Sequence, residues 1–332
     1  MALPALPLPD DCRGPAMRVP RCLVRILAAV ALSACASGSA ASRAPSLTWG
    51  VAELSRVGVI ERDGLTESSG LARSSTLDGA FWMIEDSGNE PVLYAIDSTG
   101  RDLGSVAVNG ATNLDWEAIA AGPCDGDRCL YMGDVGDNLE IRPSRTIYRV
   151  REPLPDDSAG PRDRAASRSD TTPRFSGGRE AERLTFRYED RPHDVEAMVV
   201  SGDGAVHLIT KGRRDGILHF RIPPEAWSTG PGGVAVAVRM DSLHIEPPTS
   251  ADRVTDASLA PDGTLAVRSA RTVYMFRMDP ETGRLTSPVP HLACDITAAA
   301  EPQGEAIAWM AGGALLLTSE RRGAPVTRLE CL

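Results

Sequence analysis

The sequence predicts an all-β fold built from a repeated strand unit, and three observations carry that expectation. First, an acid-led word recurs along the chain: DWEAIA at 115–120, DVEAMV from Asp194, TDASLA from Thr255, GEAIAW from Gly304, and the looser TESSGLA from Thr66. Second, each copy is followed by two β-rich segments separated by turns, such as AFWMIED and PVLYAID, CLYMGDV and RTIYRVR, or TLAVRSA and RTVYMFRM. No long stretch carries a helical period. Third, the two ends of the pattern are complementary. The last copy lacks a fourth strand, whereas VAELSRVGVIE at 51–61 precedes the first copy without a partner. If the early strand completes the last sheet, the units close into a ring with no open edge between first and last. That arrangement is a β-propeller of five four-stranded blades; a six-bladed ring with one degenerate blade is the competing arrangement.

In chain order, residues 1–34 read as an export signal. Arg18, Arg21 and Arg25 precede the apolar run ILAAVALSA, which is too short to span a bilayer, and LSAC at 32–35 follows at once. LSAC resembles a bacterial lipobox, which would make Cys35 the lipidated N-terminus and anchor the chain to a membrane of the cell envelope. Met17 gives a better-proportioned signal than Met1. Residues 35–48 are Ala/Ser-rich and read as a flexible tether, and 49–332 form the propeller. Residues 152–182 interrupt the pattern with Pro, Ser, Gly and mixed charge and read as a disordered insertion between the third and fourth strands of the second blade.

Of seven cysteines, Cys12 and Cys22 leave with the signal and Cys35 takes lipid. Four remain, an even number that suits disulfides in an exported domain. Cys124 and Cys129 frame the tight loop CDGDRC, and Cys294 and Cys331 pair by elimination. The formal charge of −10 argues against nucleic acid and anionic membrane surfaces as main partners. A monomer is expected.

The chemistry follows from the topology. In a propeller the innermost strands line a central channel, and their starts converge on one mouth. Glu67, Glu117, Glu196, Asp256 and Glu305 are expected there, joined by Asp86 and Asp134 from the ends of the second strands. Crowded carboxylates repel, by about 0.5 kcal/mol per pair at ~8 Å in water and severalfold more near a protein surface. Protonation, basic partners or a metal ion can relieve this. Oxygen ligands without clustered His or Cys favour calcium. A recurring acid can instead cap backbone N–H groups at each strand start, with no ligand involved. Lys211, the single lysine among 35 basic residues, lies beside the mouth with Arg268, Arg271, Asn138 and Glu320, where an anionic ligand could be held. Trp82, Trp116 and Trp309 are expected to pack between blades. No G-x-S-x-G, phosphate-loop or H-E-x-x-H motif occurs, and the five histidines lack ligand spacing.

The words ESSGLA, EDSG, NLDWEAIA and GDVGDN together resemble those of a group of exported bacterial β-propeller proteins and lipoproteins of unassigned activity. More remotely, the acidic mouth is similar to that of calcium-dependent propellers such as the β-propeller phytases and gluconolactonase-like hydrolases. The resemblance implies the fold; the functional reading taken from the acidic residues is an envelope-anchored propeller whose mouth binds a divalent cation and a small anionic or carbohydrate ligand. A calcium-dependent phosphoesterase or lactonase, and a scaffold for another envelope protein, are the two alternatives.

Overall fold

The computed structural model describes residues 46–155, 173–230, 232–245 and 253–332. The signal, Cys35 and most of the tether fall outside them. Two strands open the described chain, β1 (Thr48–Trp49) and β2 (Ala52–Val59). Four consecutive strands form unit I: β3 (Ser68–Arg73), β4 (Ala80–Glu85), β5 (Val92–Asp97) and β6 (Asp102–Asn109). Unit II contains β7 (Trp116–Cys124), β8 (Asp127–Asp134), β9 (Arg145–Arg151) and, after the short β10 (Gly178–Glu180), β11 (Glu182–Tyr188). Unit III is β12 (Val195–Val200), β13 (Val206–Thr210), β14 (Ile217–Ile222) and β15 (Val234–Leu243). Unit IV is β16 (Val254–Leu259), β17 (Thr264–Ser269), β18 (Thr272–Arg277) and β19 (Leu292–Asp295). Unit V has β20 (Gly304–Trp309), β21 (Leu315–Ser319) and β22 (Pro325–Cys331).

Within every unit neighbouring strands pair antiparallel. The fourth strand of unit V is β2, which pairs antiparallel with β22 from Ala52↔Cys331 to Val59↔Pro325. The first strands touch in ring order, β3 to β7 to β12 to β16 to β20 and back to β3. The chain is a β-propeller, and its N-terminal strand closes the last sheet as the unpaired ends of the pattern predict.

Alternation of side chains sends successive residues of each strand into different inter-sheet cores. On β4, Trp82 and Ile84 enter the core shared with unit II, whereas Phe81 and Met83 enter the core shared with unit V. Trp116 joins the same unit I–II core as Trp82, with its ring 6.0 Å from Tyr148. Both tryptophans are fully buried, so truncating either to alanine would cost about 3–5 kcal/mol. Both expected disulfides form. Cys124–Cys129 closes the β7–β8 hairpin, and Cys294–Cys331 ties β19 of unit IV to β22 of unit V.

The insertion is narrower than the composition of 152–182 suggests. Its middle, 156–172, lies outside the described residues, but both flanks are built into the body. Glu152 is buried and accepts hydrogen bonds from Ser74 Oγ (2.6 Å) and Trp82 Nε1 (3.0 Å). Phe175 is buried with its ring 4.5 Å from that of Trp82, and β10 pairs parallel to the outer edge of β6. One aromatic and one carboxylate therefore anchor a segment whose average composition reads as coil.

A candidate metal centre at the channel mouth

Every innermost strand carries a register shift near its start. Ser68 pairs with Glu85 and Gly70 with Ile84, leaving Ser69 without an opposite residue. The same break leaves out Glu117 in β7, Glu196 in β12, Thr255 in β16 and Glu305 in β20. Such a bulge re-aims one side chain, and here it is repeated around the ring. The equivalent set is therefore Ser69, Glu117, Glu196, Thr255 and Glu305, three carboxylates and two hydroxyls.

This corrects the five-acid alignment read from the sequence. Glu67 lies two residues before the bulge of unit I; it is exposed and accepts a hydrogen bond from Asn89 Nδ2 at 2.8 Å. Asp256 lies one residue after the bulge of unit IV, so its side chain turns away from the mouth. It is fully buried and accepts the backbone N–H groups of Ala257 (2.7 Å) and Ile307 (2.8 Å), bridging units IV and V. Asp256 is the capping acid.

A second tier comes from the residue just past each second strand: Asp86, Lys211 and Glu320 in units I, III and V. Their N–H groups bond to the carbonyls of Glu67, Asp194 and Gln303 at 2.9 Å each. In unit II this place is taken by Val135, whose N–H bonds to the Asp115 carbonyl at 3.1 Å.

Three carboxylates converge where units I and II meet. Asp86, Asp115 and Glu117 each present an oxygen within 4.8 Å of the other two. Local structure holds them there. Asn113, buried, donates to the carbonyls of Glu85 (2.9 Å) and Asp86 (2.8 Å) and accepts the Trp116 N–H (3.1 Å), so one amide fixes both segments. Ser69 Oγ donates to Glu117 Oε2 at 2.8 Å. Gly136 packs its Cα against Asp115, and a Cβ there would lie 2.4 Å from Asp115 Oδ2.

The electrostatics follow from crowding under partial burial. Burial, then Glu196 and Asp86, push the Glu117 carboxyl well above the usual carboxylate range. Burial and Asp86 raise Asp115 to about 6. Glu196 reaches about 8, because burial outweighs the pull of Lys211, whose ammonium donates to it. Burial raises Glu305 as well, and burial with Glu305, Asp86 and Glu67 raises Glu320 to about 7. Burial alone would lower Lys211, but Glu196, Asp194 and Glu117 reverse this and keep it charged.

One tier out, acids are neutralised by arginine. Asp134 pairs with Arg142 at 2.7 Å, Asp137 with Arg145, and Asp194 with Arg213 at 2.9 Å. Asp134 is thus committed to an ion pair and is not part of the carboxylate trio. Of the residues expected to hold an anion, Lys211 and Glu320 stand in the mouth. Glu320 accepts a hydrogen bond from Gln303 Nε2 at 2.7 Å. Arg268 does not belong with them: it is fully buried, donates to the carbonyls of Ala306 (2.6 Å) and Thr318 (2.9 Å), and pairs with Glu301. Arg271 is exposed at the β17–β18 turn, and Asn138 is exposed and bonded to Arg213. Asp115 and Asn113 were missed as site residues, although both lie within the word NLDWEAIA.

No protein-family model matches the chain, and no curated protein matches it. Among solved structures it is similar to a gluconolactonase from Xanthomonas campestris (14% identity, 85% of this chain and 90% of that chain, TM-score 0.40). It is also similar to a streptogramin B lyase (12% identity, 85% and 98%, TM-score 0.41). A third is the soluble aldose sugar dehydrogenase of Escherichia coli (9% identity, 85% and 100%, TM-score 0.45). The likeness extends to the fold alone.

Proposed function

We propose that this protein is an exported, envelope-anchored propeller that binds a divalent cation, calcium by the chemistry of its donors, in the channel mouth. The observation that carries the reading is the trio of Asp86, Asp115 and Glu117, with three oxygens within 4.8 Å and raised carboxyl pKa values for Asp115 and Glu117. Carboxylates brought this close are stable together only if protonated, paired or metal-bound. Ion pairs with arginine are made one tier out, by Asp134, Asp137 and Asp194. An all-oxygen donor set of this kind suits a hard cation. Asp86, Asp115 and Glu117 would hold the ion, whose charge would offset their repulsion and attract the oxygen atoms of a ligand. Lys211, held by Glu196 at the same mouth, would face an anionic group of that ligand.

Export is supported by the two disulfides of the folded domain, which suit an oxidising compartment. The anchor would be Cys35, acylated after removal of the signal. Replacing Cys35 with alanine should release the protein from membranes, and mass spectrometry of the mature N-terminus should find the lipid on Cys35. An unmodified N-terminus elsewhere would contradict the anchor without touching the cation site. The cation reading is tested by thermal melting of the purified protein in calcium and in chelator. At a hundredfold excess over its dissociation constant, a ligand of the folded state adds about 2.7 kcal/mol. A melting temperature indifferent to calcium, magnesium and manganese would favour the scaffold alternative.

A further inference from the structure

At the opposite end of the same channel lies a cavity of about 780 Å³. Residues of all five units border it: Leu259, Trp309 and Met310 are half-buried there, whereas Leu71, Ile119 and Met198 are buried with their side chains in the inter-sheet cores. Small residues leave this space open, among them Ala72 of β3, Ala121 of β7 and Gly312 in the turn after β20. None of the carboxylates of the mouth lines it.

The rim is charged on one side. Arg73 ends β3, and Arg128 sits on the adjacent β7–β8 hairpin; both line the cavity and both are exposed. Arg73 makes a single exposed contact of 3.4 Å to Asp78. The one rim acid, Asp262 of unit IV, lies 3.6 Å from Arg277. In a chain of formal charge −10, two arginines lining one cavity beside a single lining carboxylate make this rim less acidic than the chain as a whole.

This rim is also pre-formed. The disulfide Cys124–Cys129 closes the hairpin that carries Arg128. Ser74 and Ser75, which follow Arg73 and line the cavity, are fastened by the buried Glu152 carboxylate through Ser74 Oγ at 2.6 Å and the Ser75 N–H at 2.9 Å. A concave site of several hundred Å³ with some apolar lining and a few fixed polar groups is a common form of small-molecule site.

We infer that this cavity binds a small amphipathic anion, an acyl carboxylate of medium length, with its chain against Leu259, Trp309 and Met310 and its carboxylate between Arg73 and Arg128. Guanidinium groups match a carboxylate in geometry and stay charged at all relevant pH. The site is independent of the cation at the mouth and stands or falls separately from it.

The test is isothermal titration of octanoate, with octanol as the neutral chain-matched control. It uses the full chain carrying Cys35→Ala, so that no attached acyl group competes, in chelator to keep the mouth free of calcium. One octanoate should bind per chain. Ala121→Trp, which fills the cavity, should weaken octanoate and octanol together by about tenfold or more. Arg73→Glu with Arg128→Glu, both on the exposed rim, should weaken octanoate by about fivefold or more at low salt while sparing octanol. Equal affinity of the charge-reversed protein for octanoate would overturn the anionic end of the proposal. Failure of octanoate to bind the parent protein, or undiminished binding by Ala121→Trp, would overturn the site itself.

Discussion

The two ends of the central channel are made by the same five strands and have opposite chemistry. At the starts of β7, β12 and β20, a bulge turns Glu117, Glu196 and Glu305 toward one mouth. Further along the same strands, Ala121, Val200 and Trp309 border a cavity instead. Strand position sets the environment, and the bulge sets which side chain meets it. A one-residue change of frame separates Asp256, a buried acceptor of two backbone N–H groups, from Thr255 at the bulge.

The largest expected effect is therefore at Asp256. Asp256→Ala leaves the Ala257 and Ile307 N–H groups without their acceptor, at about 1–3 kcal/mol each. Chemical denaturation should show that loss, and cation affinity should be nearly unchanged in the surviving folded fraction. If Asp256 were a ligand, affinity would fall with stability.

Asp86→Asn together with Glu117→Gln should do the reverse. The calcium response should vanish, and the ion-free protein should melt higher, because the cost of crowding and burying two carboxyls is gone. A loss of ion-free stability would mean that these acids cap backbone groups as Asp256 does.

Gly136→Ala sits between these extremes. Its Cβ would meet the Asp115 carboxylate at 2.4 Å, so Asp115 must shift and cation affinity should fall by about tenfold. Titration calorimetry would measure it, with the melting temperature in chelator lowered only slightly.

The smallest effect is the pH dependence. Asp115, Glu117, Glu196, Glu305 and Glu320 all have folded carboxyl pKa values above their ordinary ones. At these groups the folded state holds more protons than the unfolded state, so their contribution to stability is greatest below the ordinary carboxylate range. It falls as pH rises toward about 8, the value reached by Glu196. Ion-free melting temperatures should decline across that window, and saturating calcium should flatten the slope. Retention of the slope in calcium would place the titrating acids away from the ion.

Much of the fold was legible because it depends on period and pairing. Alternation marked the strands, and the missing partner of β22 pointed to β2. The site was legible only in part. TDASLA looks like DWEAIA letter by letter, yet the register puts Thr255, and not Asp256, opposite nothing. Pairing partners decide that frame, and they are remote in sequence. Arg268 reads as a mouth cation but is drawn inward by the Ala306 and Thr318 carbonyls. Glu152 and Phe175 were hidden in polar surroundings whose average composition masks two anchoring side chains. The far cavity had no signature at all, because it is a space left by small residues of five distant segments.

Titrating calcium into the purified protein in two buffers of different ionisation heat near pH 7 tests whether the mouth is a metal centre. The carboxyls of Glu196 and Glu320 are held at about 8 and about 7, so cation binding that lowers them must release protons. The expected result is one calcium bound per chain with a measurable proton release that disappears in Asp86→Asn with Glu117→Gln. Absence of binding heat in both buffers, or calcium binding that survives the double substitution unchanged, would contradict a metal centre at this mouth.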